Sequence, residues 1–490
     1  MPPPTLAEVI FPEQANHSFS RILGDLKRSN LSITNRLRSI RQDAYFVEDV
    51  AARLKLPLVA NERCGSWYID PALKAGSAYF KSTDGHTGQW KFSTRRLNLH
   101  LLELVGKHNG CIIVDSTRRG KRMPDALSKT VPTWCSVLNR VIFPDLASSH
   151  ALVTPAGAVS ASEASQIEAR LPGFVASFGA LAIDPAPLRE QLGGKPLRPV
   201  WVTPASEEDD QEDEEGGEDG YVVALDLARD GSAFHPVVCC TSSRRVAGVG
   251  AEIAGGTGYI QGAGDDTENW AMGLTAAAFW RHQDELLAAA EGELPGLIAR
   301  LLLLTAAEGE GGGDTTATAR GLRRVAPGIG VFVGTLAAKE TALSEGSCVV
   351  TLVSKSTERT TWVKSAAWME AGLGKSKAAS RSLRDALPQI CEFVSRFLRI
   401  EAELSGNGTP ERKVVILCDS GKDLSVGIAL AIYCWCFDPC GNVRVGDERE
   451  SFNKTAIRVK LGHIMTTMPD ANPSRATLQS VNSYLMDWRK

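Results

Sequence analysis

Apolar residues at Ile33, Leu37, Ile40, Ala44, Val47 and Val50 recur every three to four positions through ITNRLRSIRQDAYFVEDVAARL. That spacing draws one apolar stripe along a helix. Arg36, Arg38 and Arg41 fall on its other faces, free for solvent or phosphate. Pro57 stops the helix, LPLVAN reads as a short buried strand, and NERCGSWYIDP as a turn. LNLHLLELVG has helical spacing up to Gly106. CIIVD is a continuous apolar strand ending in Asp115, followed by the loop STRRGKR and a helix from about Asp125. YVVALDLA and HPVVCCTSSRRV read as the next two strands. Further on, IGVFVG and CVVTLVS read as strands and RSLRDALPQICEFVSRFL as an amphipathic helix. VVILCDSGKDLSVGIALAIYCW then joins a short apolar strand, through a glycine loop, to an apolar helix.

Uninterrupted apolar strands alternating with helices predict an α/β protein. Two domains are expected. A mixed α/β domain spans residues 1–306, with an acidic insert at 207–220. A low-complexity linker at 307–324 leads to a second α/β domain at 325–490. The Pro-, Ala- and Ser-rich stretch 144–206 shows only short helical pieces such as ASQIEARL.

Charge changes this picture. The chain carries −3 overall, but EEDDQEDEEGGEDG, Glu207 to Gly220, holds ten acidic side chains and no basic one. With that tract set aside the balance is +7, and residues 61–140 alone hold 13 Lys and Arg against 6 Asp and Glu. A basic domain with an acidic tether suits a nucleic-acid or nucleotide partner. No apolar run reaches the roughly 18 residues needed to cross a bilayer, and the start MPPPTLAEVIFPEQ lacks a secretory pattern. A soluble, cytoplasmic protein without a membrane partner is expected, with a nuclear address left open. The 11 cysteines form no CxxC pair and read mostly as small core residues. Cys434, Cys436 and Cys440 cluster at a spacing that fits no common zinc site.

The chemistry concentrates in YFKSTDGHTGQWKFSTRR, Tyr79 to Arg96. Lys81, Lys91, Arg95 and Arg96 surround two hydroxyl-rich turns, which suits a phosphate ester. Asp84 and His86 can move a proton near neutral pH. Tyr79, Phe80, Trp90 and Phe92 are interleaved, a pattern that also grips RNA bases. Two strand-to-loop junctions repeat the theme: Asp115 before Arg118 and Arg119, and Ser242-Ser243 before Arg244 and Arg245. Asp265, Asp266 and Glu268 suit either a hard divalent cation or a helix N-terminus.

The loop Cys418, Asp419, Ser420, Gly421, Lys422, Asp423, Leu424, Ser425 resembles the signature loop of cysteine-dependent protein phosphatases. VAPGIGVFVGTLAA is similar to the first strand of the dual-specificity members. The position of the signature arginine holds Leu424, so the bidentate fork on phosphate is missing. An anion cradle without hydrolysis is expected, with Lys422 supplying charge. Together with LVANERCGSWY, YFKSTDGHTGQWKFSTRRLNLHLL, GCIIVDSTRRGKRMPDALSKTVPTWC, YIQGAGDDTENWAMGLT and DANPSRATLQSVNSYLM, this loop resembles the initiator tRNA 2′-O-ribosyl phosphate transferases of fungi and plants.

That resemblance implies transfer of 5-phosphoribosyl from phosphoribosyl pyrophosphate to the ribose 2′-hydroxyl of adenosine 64, in the T-stem of initiator methionine tRNA. The added phosphate obstructs the elongation factor. It also implies a phosphatase-like C-terminal domain. On this reading Cys418 to Ser425 hold a donor phosphate, and Asp84 is the preferred base with His86 second. Asp115, Asp265 and Asp266 are magnesium candidates, Asp115 also counting among the catalytic residues. Lys81, Arg95, Arg96, Arg118, Arg119 and Arg244 take the remaining phosphate or the tRNA backbone. Two rivals stay open: a tRNA-binding module with a dead, phosphate-reading phosphatase domain, and an active RNA or phosphoinositide phosphatase.

Overall fold

A computed structural model of the chain describes residues 32–83, 88–118, 120–204, 220–228, 232–246, 258–265, 267–309, 322–344, 347–374, 376–404, 413–438, 441–444, 452–468 and 470–487. Asp84, His86, Arg119, Asp266, Cys440 and the acidic tract up to Asp219 lie outside them. The chain divides into two compact units. One comprises Met1–Phe92, Leu101–Val175 and Pro185–Gly311; the other comprises Ser93–His100, Ala176–Asp184 and Gly312–Lys490.

The first unit is built on a five-stranded, all-parallel sheet. Its strands are β1 (Leu58–Asn61), β2 (Lys74–Ala78), β3 (Cys111–Asp115), β4 (Leu197–Val202) and β5 (His235–Thr241), in the order β2-β1-β3-β5-β4. β1, β3 and β5 are buried along their whole length. That explains their unbroken apolar sequences, since a parallel sheet is covered on both faces. The helix Ile33–Leu54 starts where Ser32 Oγ accepts the Asn35 N–H, at 3.2 Å, and buries Leu37, Ile40, Ala44, Val47 and Val50. Lys55 ends it in the left-handed conformation, at φ 54°.

Two expectations needed correction. YVVALDLA lies in a helix, Gly220–Ala228, and is not a strand. Val223, Ala224 and Leu227 recur at helical spacing and pack in one cluster with Val200, Val202, Val238 and Cys240 of the sheet. An apolar run of eight residues serves a buried helix as well as a buried strand. Conversely, LRPVWV forms β4 inside the Pro-rich stretch. Pro199 is tolerated because β4 is an edge strand, where a missing donor leaves no ladder bond unmade.

The second unit has its own sheet, with strands β6 (Arg323–Arg324), β7 (Val331–Thr335), β8 (Cys348–Val353), β9 (Trp368–Gly372) and β10 (Val414–Cys418). The order is β6-β7-β10-β8-β9, and only β6 runs antiparallel. The apolar helix Leu424–Cys436 is almost wholly buried and shares a core with the helices Ser376–Leu404 and Arg475–Asp487. Cys434 and Cys436 sit inside that core, as small apolar side chains do.

Close helix packing depends on Gly427, where an added Cβ would stand 2.3 Å from Thr477 Cγ2. Gly427→Ala is therefore expected to cost about 1–3 kcal/mol of stability through overpacking, read as a lowered urea midpoint at unchanged slope.

Candidate functional site

In the first unit, side chains converge at the carboxyl ends of β1 and β3. Asp115, the last residue of β3, is fully buried. A buried carboxylate needs its charge compensated and its lone pairs filled. Arg63, two residues past β1, does the first: its Nη2 lies 3.1 Å from Asp115 Oδ1 and its Nε 3.3 Å from Oδ2. Arg63 also donates to the Ser116 carbonyl. Asn61 Nδ2 donates to Asp115 Oδ2 at 2.8 Å, Cys64 Sγ to Oδ1 at 3.0 Å, and the Ser116 N–H to Oδ1 at 2.8 Å. Arg63 Nη1 reaches a second carboxylate, Asp265 Oδ2, at 3.3 Å. Burial pushes Asp265 above the usual carboxylate range, with Arg63 pulling against it. The turn can approach β3 this closely only because position 65 is glycine: a Cβ there would lie 2.3 Å from the Val114 carbonyl oxygen.

The segment Tyr259–Asp265 is tied to several elements of this unit. Gly264 N–H donates to Tyr68 Oη at 2.7 Å, and Ile260 N–H to Ser39 Oγ at 2.8 Å. Gln261 accepts from Gly120 and Val246 and donates to the Lys121 carbonyl. Tyr259 Oη donates to the buried Asp43 at 2.8 Å and accepts the Arg244 N–H at the same distance. Burial pushes the Asp43 carboxyl well above its ordinary range.

In the second unit, β10 delivers Cys418 into the loop before the helix Leu424–Cys436. Gly421 N–H points at Cys418 Sγ from 3.2 Å, and Ser425 Oγ lies 3.0 Å from it. Asp423 clamps the loop, accepting from Ser474 N–H at 2.8 Å and Thr477 Oγ1 at 2.7 Å. Lys422, half exposed, pairs with Asp470 at 3.3 Å, and its carbonyl accepts the Asn472 N–H. Arg323 of β6 pairs with Asp470 as well and donates to the Gly421 carbonyl at 3.1 Å. Leu424 packs partly against the core, so no side chain at that position reaches an anion.

The predicted residues divide accordingly. Arg95 and Arg96 belong to the second unit: Arg95 donates to the Pro473 carbonyl at 3.3 Å, and Arg96 to Asn472 and the Ala471 carbonyl. They hold the segment that also meets Lys422. Lys81 and Arg118 are exposed in the first unit. Arg244 lies over the Tyr259 ring, 5.0 Å from its centre. Phe80 and Trp90 are buried, Trp90 Nε1 donating to Glu163, so neither offers a face to a base. Arg36 reaches the Ala263 carbonyl and lies over Trp270, while Arg41 pairs with Glu48 at 2.7 Å, so both are engaged within the protein, contrary to the expectation that they are free. Two side chains of these clusters have no place in the sequence-based expectations. Arg63 carried a signal, a cation just past a buried strand. Arg323 carried none, since it sits in a stretch read as linker.

Residues 26–303 match the family model described as the Rit1 N-terminal domain, and residues 367–485 that of the Rit1 DUSP-like domain. The chain belongs to the Rit1 family. A relative in Saccharomyces cerevisiae named tRNA A64-2′-O-ribosylphosphate transferase is 35% identical over 505 residues, covering 96% of this chain and 95% of that protein. An uncharacterized protein of Schizosaccharomyces pombe is 36% identical over 466 residues, covering 92% and 94%. The Yvh1 phosphatase domain from Chaetomium thermophilum aligns with 34% of this chain and 95% of that domain, at 18% identity and a TM-score of 0.25. By its sheets and its match to the DUSP-like family model, the chain is an α/β protein with a phosphatase-like C-terminal domain.

Arg63→Met leaves Asp115 buried without its cation and is expected to cost about 3–5 kcal/mol in urea unfolding. Asp43 tests the pH dependence. Its folded pKa lies above its unfolded one, so its ionisation weakens folding increasingly as pH rises from the ordinary carboxylate range towards the folded value. The stability of Asp43→Asn relative to the unaltered chain should therefore increase between pH 5 and pH 8, measured by urea titration.

Proposed function

We propose that this chain transfers 5-phosphoribosyl from phosphoribosyl pyrophosphate to the ribose 2′-hydroxyl of adenosine 64 in the T-stem of initiator methionine tRNA, in the cytoplasm. The observation that carries this is similarity along almost the whole chain to the Saccharomyces cerevisiae protein named for ribosylphosphate transfer at A64. The Cys418 loop supports it. A transferase must hold a phosphorylated donor without hydrolysing its ester, and this loop keeps backbone N–H groups at a helix N-terminus while lacking the arginine fork.

In the transfer, the bond from the donor's anomeric carbon to pyrophosphate breaks and a bond from the 2′-oxygen forms, through an oxocarbenium-like state. The 2′-hydroxyl proton passes to a base. We assign that base to Asp84, with His86 second, because a carboxylate also stabilises the developing cation and an imidazolium does not. Cys418 is assigned as a loop residue rather than a nucleophile, because Leu424 stands where the phosphatase loop has the arginine that stabilises phosphoryl transfer. Lys422 and Arg323 hold the loop's charge balance through Asp470. Lys81, Arg118 and Arg119 are assigned to tRNA phosphates, whose neutralisation dominates such affinity.

Magnesium belongs to this proposal through the pyrophosphate, which binds it readily. The described carboxylates at the strand ends of the first unit do not form a dedicated cage for it. Both Asp115 oxygens are taken by Arg63, Asn61, Cys64 and Ser116, and Asp265 Oδ2 lies against the Arg63 guanidinium. Among the described residues no three metal-ligating side chains converge. Asp115 accordingly acts as the residue that positions Arg63.

The test incubates the protein with labelled phosphoribosyl pyrophosphate and total tRNA. Label should enter initiator methionine tRNA alone, and binding of tRNA without donor-dependent labelling would sink the proposal. Asp84→Ala should abolish labelling while tRNA affinity stays within a few-fold; a folded variant with near-normal turnover removes Asp84 from the mechanism.

A further inference from the structure

We propose that the cluster of polar side chains at the carboxyl ends of β1 and β3 in the first unit is a binding site for the ribose hydroxyls of the pentosyl donor, with Asp265 Oδ1 as their acceptor. The proposal rests on the transfer reading above and adds the place where the sugar is read.

β2 pairs with one side of β1 and β3 with the other, so the chain reverses direction across the sheet between β1 and β3. Open parallel sheets bind ligands outside the carboxyl ends of the strands at this reversal, where the connections part. Arg63 and Asp115 stand there, one from each strand.

The protein also leaves polar atoms unpaired there. Buried polar atoms are almost always hydrogen-bonded, and an exception needs a reason. Among the described residues, Asp265 Oδ1, Thr117 Oγ1 and Thr241 Oγ1 are buried without a hydrogen-bond partner. Thr117 follows β3 by two residues, and Thr241 is the register partner of Asp115 on β5. Both threonines are 1% exposed. Arg63, with a quarter of its side chain exposed, lies at the solvent side of the cluster.

Charge decides what fits. The Arg63 guanidinium is already shared between Asp115 and Asp265, so it offers no unshared charge to a phosphate. A phosphate placed against Asp265 Oδ1 would be repelled. A hydroxyl would donate to it, and carboxylates beside strand ends read ribose in this way. The diol points to the donor rather than the tRNA. A ribose inside an RNA strand has its 3′-oxygen esterified and offers one free hydroxyl. The donor sugar offers two, at the 2 and 3 positions.

The test measures calorimetric binding of ribose 5-phosphate, 2-deoxyribose 5-phosphate and inorganic pyrophosphate to the full chain. The unaltered protein should prefer ribose 5-phosphate over its deoxy analogue by about tenfold or more, as expected when a buried acceptor loses its donor. Asp265→Asn should weaken ribose 5-phosphate binding by a similar factor and leave pyrophosphate binding unchanged. Thr241→Val, which removes one hydroxyl at nearly constant volume, should erode the same preference and decides the matter if Asp265→Asn does not fold. Equal binding of the two sugars, or wild-type discrimination in these variants, overturns the site. Loss of tRNA affinity with sugar discrimination intact overturns it too, assigning the acceptor to RNA. The labelled-transfer assay is independent: sugar discrimination without transfer keeps this site and sinks the reaction, and transfer without discrimination does the reverse.

Discussion

A carboxylate with no exposure cannot stay charged unless the fold supplies a cation and fills its lone pairs. In the first unit that carboxylate is Asp115, and much of the local architecture follows from it. Arg63 reaches it because β1 ends beside β3. Asn61 reaches it while also pairing with the backbone of Phe80, which ties the start of the basic stretch to the same point. Gly65 lets the turn pass within contact of β3. The guanidinium then continues to Asp265 and links the strand ends to the segment Tyr259–Asp265. Such pairs contribute little net stability, but removing one partner is costly, so the geometry is held tightly.

The second unit solves a different problem with the same economy. The Cys418 loop, the proposed donor-phosphate site, is braced on both sides. Here Asp423 fixes one side through Ser474 and Thr477, and Asp470 collects Lys422 and Arg323 on the other. Arg95 and Arg96, distant in sequence, hold the segment Ala471–Pro473 from behind. Leu424 turns the phosphatase position towards the core.

Much of the fold was legible along the chain. β1, β3, β5, β7, β8 and β10 carry continuous apolar runs bounded by turn residues, and the stripe of Ile33–Leu54 has helical period. What could not be read has physical causes. β2, as KAGSA, has almost no apolar signal, because an edge strand needs little. β4 hides behind Pro199 for the same reason. YVVALDLA was ambiguous because a short apolar run fits either element, and only the cover required by β4 and β5 selects the helix.

By itself the sequence determined the α/β class, the basic character of residues 61–140, the lost arginine at Leu424, and the long motifs that carry the family resemblance. Those are local properties, readable from residue type and spacing. Only tertiary structure decided that Arg63 joins Asp115 to Asp265, that Phe80 and Trp90 are core rather than base-stacking platforms, and that Arg95 and Arg96 brace the segment beside the Cys418 loop. Each of these depends on where a charge or ring is taken out of water. Burial is set by elements tens to hundreds of residues apart, and no local pattern records it.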